Sequence, residues 1–192
     1  MTKTQYYTAT SIDGFIADEN NSLDWLFEVG SGQDAGGRYT AFFSQVGAMV
    51  MGSTTYLWIV DHGQLLDHPD KWGDEFGYAD TPCWVFTHRD LPRVPGADLS
   101  FVRGDVDRVH QEMRQAAGDK NIWVVGGGDL AGQFVDHGLL DEIILGVAPV
   151  TLGAGAPVLP RRLTGSALTL AALEQEASFA YLTYTVAALQ VA

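Results

Sequence analysis

Three short stretches of this chain gather residue types suited to holding phosphate. The first is Gly126, Gly127 and Gly128, followed by Asp129 and Leu130. It stands between the apolar run Ile122, Trp123, Val124, Val125 and a helix-like segment. Glycine at a strand-to-helix turn opens backbone angles closed to other residues and lets a ligand approach the main chain. Free amides at the helix start that follows attract anions. The second stretch, Gly52, Ser53, Thr54 and Thr55, leaves another apolar run, "AMVMG", in the same way. The third, Thr87, His88 and Arg89, offers a hydroxyl, an imidazole and a guanidinium for a terminal phosphate, and Arg103 adds a further charge. A glycine cluster alone is as readily a tight turn. Three such strand ends on one sheet favour a nucleotide, because ligands of open α/β sheets bind beyond the carboxyl ends of the strands.

The elements that must position these residues can be read from periodicity. Residues 5–10 form a strand that runs into "SIDGFIA", whose Asp-Gly marks a turn. Tyr39, Phe42, Phe43 and Val46 recur at helical spacing, predicting an amphipathic helix over roughly 35–46. "AMVMG" is a buried strand, and "STTYLWIV" a helix capped by Ser53 or Thr54. Residues 61–80, polar and rich in Gly, Asp and His, read as a loop or excursion. "PCWVFT" and "LSFV" are strands, and Asp105 caps a helix whose Val106, Val109, Met113 and Ala116 share a face. Asp129 is the expected cap of the next helix, which stops at Gly138. "EIILGVA", "ALTLAALEQ" and "FAYLTYTVAAL" complete the β content. Alternating strands and helices with a β-rich end imply a mostly parallel α/β sheet finished by an antiparallel hairpin.

Composition removes several classes of function. The 192 residues fit a single domain over 1–192, and 46% hydrophobic content supports a sizeable core. A net charge of −13 argues against a nucleic-acid partner, so any phosphate ligand must find a local cluster of the 11 Lys and Arg residues. No exported leader is legible at the N-terminus, and the single cysteine, Cys83, fits a reducing cytoplasm. Residues 143–160 carry no charge, but Pro149, Pro157 and Pro160 rule against a membrane-spanning helix there. His62, Asp67, His68 and Asp70 match no familiar metal spacing and read as solvated loop residues, so no metal is expected.

Gly126, Gly128 and Ala131 satisfy the spacing of a Rossmann fingerprint. That fingerprint needs an acid at the far end of the next strand, whereas Asp141 and Glu142 stand at its start. The order "SIDGFIA", "MGSTTY", "FTHRDLP", "VVGGGDLAGQF", "APVTLGAGAPVLP" instead resembles the dihydrofolate reductase superfold. The branch is the one similar to the C-terminal reductase domain of the riboflavin-biosynthesis protein RibD. This resemblance implies an eight-stranded, mostly parallel sheet flanked by helices, binding NADPH across its carboxyl edge. It places Ala9 and Ile16 at the nicotinamide end, and Thr54, Thr55, Gly127 and Gly128 at the pyrophosphate, within a cofactor set that includes Gly52, Ser53, Gly126, Asp129 and Leu130. Thr87, His88 and Arg89 would take the 2′-phosphate, with Arg103 near the adenine.

The chain departs from the reductases of this fold at two places. Ser53 stands where a basic residue often follows the second-strand glycine. The first helix, "GGRYTAFFSQV", has no acid in its body, which speaks against dihydrofolate itself as substrate. Asp13 in the first loop would orient a substrate amine or hydroxyl, or only form the Asp-Gly turn. Trp25 would flank the substrate, or fill the core. Asp24 is a helix cap or a pocket acid, and Cys83 an inert core thiol. The reading is a cytoplasmic NADPH-dependent oxidoreductase that gives a hydride to a small pteridine- or pyrimidine-like heterocycle or a ribosyl compound. The proton would come from water, Asp13, Asp34 or Tyr39. The partners are this small molecule and, as the resemblance allows, a second copy in a homodimer. A nucleotide-binding module without turnover is the alternative.

Overall fold

The apolar runs become strands covered on both faces, which is why they read as continuous rather than alternating. The computed structural model describes residues 2–30 and 37–187. In chain order these form β1 (Thr4–Thr10), β2 (Phe15–Ala17), α1 (Asp24–Glu28), α2 (Arg38–Phe43), β3 (Val46–Gly52), α3 (Ser53–Gly63) and α4 (Lys71–Asp74). Then come β4 (Cys83–Phe86), β5 (Leu99–Val102), α5 (Val106–Ala117), β6 (Asn121–Gly126), α6 (Gly128–Asp136) and β7 (Glu142–Val147). The chain closes with β8 (Ala156–Pro157), β9 (Leu168–Glu176) and β10 (Phe179–Val186).

Eight strands make one sheet in the order β5-β4-β3-β6-β1-β7-β10-β9, and β2 pairs separately with β8. The contacts from β5 through β7 are parallel. β10 then runs antiparallel to both β7 and β9. All the parallel strands therefore end on one edge, where the chain must turn back through loops and helix starts.

Helices cover both faces. On one, α5 and α6 pack Val106, Val109, Met113, Phe134 and Val135 onto Tyr6, Val50 and Val124. On the other, Tyr56, Ile59 and Val60 of α3 meet Met49, Met51, Val85 and Trp123. Each such fully buried side chain contributes roughly 1.5–3 kcal/mol. The α5 stripe ends on Ala117 rather than Ala116, which is exposed. Position 117 continues the helical row from Met113 by four residues, where 116 rotates outward.

Four local expectations are corrected. Val46 starts β3 instead of ending α2, because "VGAMVM" is needed whole in the sheet; residues 35 and 36 of the expected helix lie outside the described residues. Residues 61–80 are not simply a loop: α3 reaches Gly63, α4 follows, and Leu65, Trp72 and Tyr78 are buried in the second core. The N-cap of α3 is Gly52 rather than Ser53 or Thr54, and that of α6 is Gly127 rather than Asp129. Among the described residues no helix is long and apolar enough to cross a membrane.

Candidate functional site

A cleft of about 1140 Å³ runs along the carboxyl edge of the sheet from β5 to β10. Its centre is built by two helix starts. Neither α3 nor α6 has a side-chain hydrogen bond at its N-cap, and both begin on the cleft wall. The first amides of a helix have no partner within it, and the helix dipole adds partial positive charge there. Two such ends lie beside each other here, an arrangement that suits an anion. Asp129, in the first turn of α6, would oppose an anion, but Arg161 holds its carboxylate at 3.1 Å and that of Asp136 at 2.7 Å.

The three glycines have separate tasks. Gly126 sits at φ +153, a backbone region that side chains rarely enter. A β-carbon on Gly128 would lie 2.3 Å from the Pro157 carbonyl and 2.4 Å from that of Val158, so this glycine lets α6 press against the β8 strand. Gly127 is different. A β-carbon there would meet only Ile16 Cδ1, at 3.8 Å, and its φ of −84 suits any residue. The fold does not need a glycine at 127; the cleft does, because Gly127 lines it.

At the β4–β5 end, Thr87, His88 and Arg103 line the cleft. The Thr87 hydroxyl is occupied locally: it accepts from the Arg89 amide at 2.9 Å and donates to the Arg89 carbonyl at 3.1 Å. It therefore shapes the turn around Arg89. Arg89 Nη2 donates to Ser53 Oγ at 3.0 Å. The cation missing at position 53 is thus supplied by position 89 through the Ser53 hydroxyl.

Ala9, Ile16, Gly52, Ser53, Thr54, Thr55, Gly126, Asp129, Leu130 and Tyr39 also line the cleft. Asp13 and Trp25 do not, and Asp34 lies outside the described residues. Asp13 accepts from Ser11 Oγ at 2.6 Å, from the Gly153 amide at 2.7 Å and from the Leu152 amide. The Ser11 hydroxyl and then the Gly153 amide hold its carboxyl below the usual range. Its charge is spent tying the first loop to residues 152–153, which corrects its expected contact with substrate. Trp25 is buried against Ala148 and Phe179 in a third small core, so it supports the wall instead of flanking a ligand.

The β1–β10 end has a different character. Tyr7, Tyr39, Tyr78 and Trp123 form an aromatic floor, with Tyr39 and Trp123 edge to face at 5.9 Å. Burial and then neighbouring groups push the Tyr78 phenol well up, and its side chain is hydrogen-bonded to Tyr39. Above the floor, His62 stacks on Trp58 at 4.5 Å and on Phe27 at 5.0 Å, linking α3 to α1. Tyr181 enters from β10; Gly146 makes room, since a β-carbon there would lie 2.9 Å from the ring. Tyr39 apart, the sequence reading missed these rings. Trp58 and His62 stand four apart on α3 and could have been paired by that spacing, whereas Phe27 carries no local signal.

A profile of the RibD C-terminal domain matches residues 67–181. The chain belongs to this family. The Bacillus subtilis (strain 168) protein YwjB, itself uncharacterized, is 32% identical over 173 residues, covering 90% of this chain and 91% of its own. A candidate riboflavin biosynthesis protein of Shewanella sp. PV-4 superposes with a TM-score of 0.72 at 24% identity, covering 96% of this chain and 99% of that one. Dihydrofolate reductase from Enterococcus faecalis, solved with NADP(H), superposes with a TM-score of 0.54 at 14% identity, covering 96% of each chain. Family and superposition together show a mixed α/β fold of the dihydrofolate reductase type in its RibD-like branch.

Proposed function

We propose that this family member is an NADPH-dependent reductase of a small heterocyclic substrate. The observation that carries this is the convergence of two uncapped helix starts and an open Gly127 in one cleft, with Arg103 lining its β4–β5 end. A dinucleotide fits that layout: pyrophosphate at the start of α3 and α6, and a 2′-phosphate near His88, Arg89 and Arg103. Ala9 and Ile16 would border the nicotinamide. When bound, the dihydronicotinamide supplies a hydride to an electrophilic carbon, chemistry no side chain can perform.

The chain's own residues would then bind, orient and protonate. The aromatic floor and the Phe27–His62–Trp58 wall keep water from the reacting face and align the acceptor. With Asp13 committed to its loop, Tyr39 is the residue best placed to pass a proton to the reduced substrate. Tyr39 lines the cleft beside Tyr78, to which its side chain is hydrogen-bonded, and a phenol hydroxyl can donate a proton.

The test is loss of NADPH absorbance with a panel of pteridines, pyrimidines and ribosyl compounds. Turnover with one class, reduced about ten-fold or more in Tyr39→Phe, supports the reading, since a positioned proton donor contributes about 10²-fold or more. A protein that binds NADPH yet oxidises it with no acceptor would be a binding module instead.

A further inference from the structure

The distribution of positive charge along the cleft narrows the substrate, on the reductase reading just given. The sequence holds 11 Lys and Arg, and none of them falls in residues 31–36 or 188–192, so all are placed. Arg103 is the one lysine or arginine that lines the cleft, and Arg89 reaches it through Ser53. Both lie at the β4–β5 end, already matched to the cofactor. At the aromatic end Lys71 is taken up by Glu75 at 3.4 Å, and the other nearby cation is Arg38, 4.4 Å above the Tyr181 ring. It is held by Glu174 and, at 3.3 Å, by Glu176. Two carboxylates thus surround one guanidinium, and Glu176 and Glu75 themselves face the cleft.

We infer that the substrate is a flat aromatic heterocycle bearing no phosphate, received between the Tyr7–Trp123 floor and the Phe27–His62–Trp58 wall. A phosphate on the substrate would enter a region with two carboxylates and no uncommitted lysine or arginine. Like charges brought together in a site are strongly unfavourable, and charge-assisted donors are the strongest replacement for an anion's water. A flat ring has the opposite fortune. Ring faces at near-parallel angles, 11° for Phe27–His62 and 13° for Trp58–His62, offer stacking without requiring charge. The aromatic end therefore selects by shape and by repulsion of anions.

The experiment is a set of calorimetric titrations with a free pteridine, its ribityl derivative and the ribityl 5′-phosphate. They are run near pH 8, where an ordinary histidine is neutral, on protein saturated with NADPH. The two uncharged compounds are expected to bind, and the phosphate to weaken binding by about ten-fold or more relative to the ribityl compound. Trp58→Ala should weaken the free ring by about five-fold or more while NADPH affinity, titrated separately, stays within about two-fold. Phe27 is 42% exposed, so Phe27→Arg is compatible with folding; it should recover affinity for the phosphorylated compound. Tighter binding of the phosphorylated compound by the unaltered protein would overturn the inference. So would failure of every ring to bind while NADPH does. Failure of NADPH itself to bind would instead remove the reductase reading.

Discussion

Arg89 Nη2 lies 3.0 Å from Ser53 Oγ, joining the turn after β4 to the first residue of α3. One guanidinium thereby serves two strand ends: it orders the α3 start and keeps a positive charge beside it. Removing it should cost a phosphate contact more than it costs the fold, since the side chain is exposed.

Arg89→Ala is expected to weaken NADPH about ten-fold or more, because a charge-assisted hydrogen bond contributes roughly 1.5–3 kcal/mol. NADH, which lacks the 2′-phosphate, should change little. Parallel titrations decide this, and equal losses for both would detach Arg89 from the 2′-phosphate.

The glycines give opposite outcomes at adjacent positions. Gly127→Val should leave the melting temperature near that of the parent and abolish NADPH binding, because its side chain projects into the cleft. Gly128→Ala should lower stability by about 1–3 kcal/mol, since its β-carbon meets two backbone carbonyls that cannot rotate away. Thermal melts of both proteins beside NADPH titrations test the pair; a Gly127→Val protein with intact affinity would reduce that glycine to a turn former.

Asp13→Ala should lower thermal stability and free the 152–153 loop, while Asp13→Asn retains part of the tie as an acceptor. The carboxyl is held below its usual range, so its contribution is present above the ordinary aspartate range and is lost as pH falls through the lowered value. Hydrogen exchange at Leu152 and Gly153 is the direct readout. Unchanged protection in Asp13→Ala would return this acid to the candidates for substrate contact.

His110 is buried beneath α5, with Nε2 2.8 Å from Thr4 Oγ1. Burial, then Arg114, lowers its affinity for a proton, while Asp141 and Asp107 oppose this. The unfolded chain therefore binds a proton that the folded one resists. Stability should be full above the ordinary histidine range and fall as pH drops from about 6.5 toward the lowered value. Melting curves between about pH 8 and 5 should show a smaller fall for His110→Gln than for the parent; identical profiles would locate the acid sensitivity elsewhere.

The central strands were legible because they are contiguous apolar runs bounded by glycine, proline or a charge, as in "AMVMG" and "IWVVGGG", whereas the short β2 and β8 carry no such signal. The residues lining the centre of the cleft were legible for a related reason: they sit at strand ends, where sequence position and place on the sheet edge coincide. What escaped depended on long-range packing. Asp13 finds its partners about 140 residues away at Leu152 and Gly153, and no local pattern distinguishes that tie from a pocket acid. The buried Leu65, Trp72 and Tyr78 were hidden in a polar segment, because composition averages over a stretch in which only a few residues turn inward. The aromatic end required α1, α3, β6 and β10 to meet, which only the strand order reveals.

The central claim is that this cleft holds NADPH. The most direct measurement is calorimetric titration of the purified protein with NADPH and, separately, with NADH. Saturable one-site binding of NADPH, about ten-fold or more tighter than NADH, is the expected result, from the one extra phosphate that His88, Arg89 and Arg103 can address. Absence of NADPH binding, or equal affinity for the two nucleotides, would contradict it.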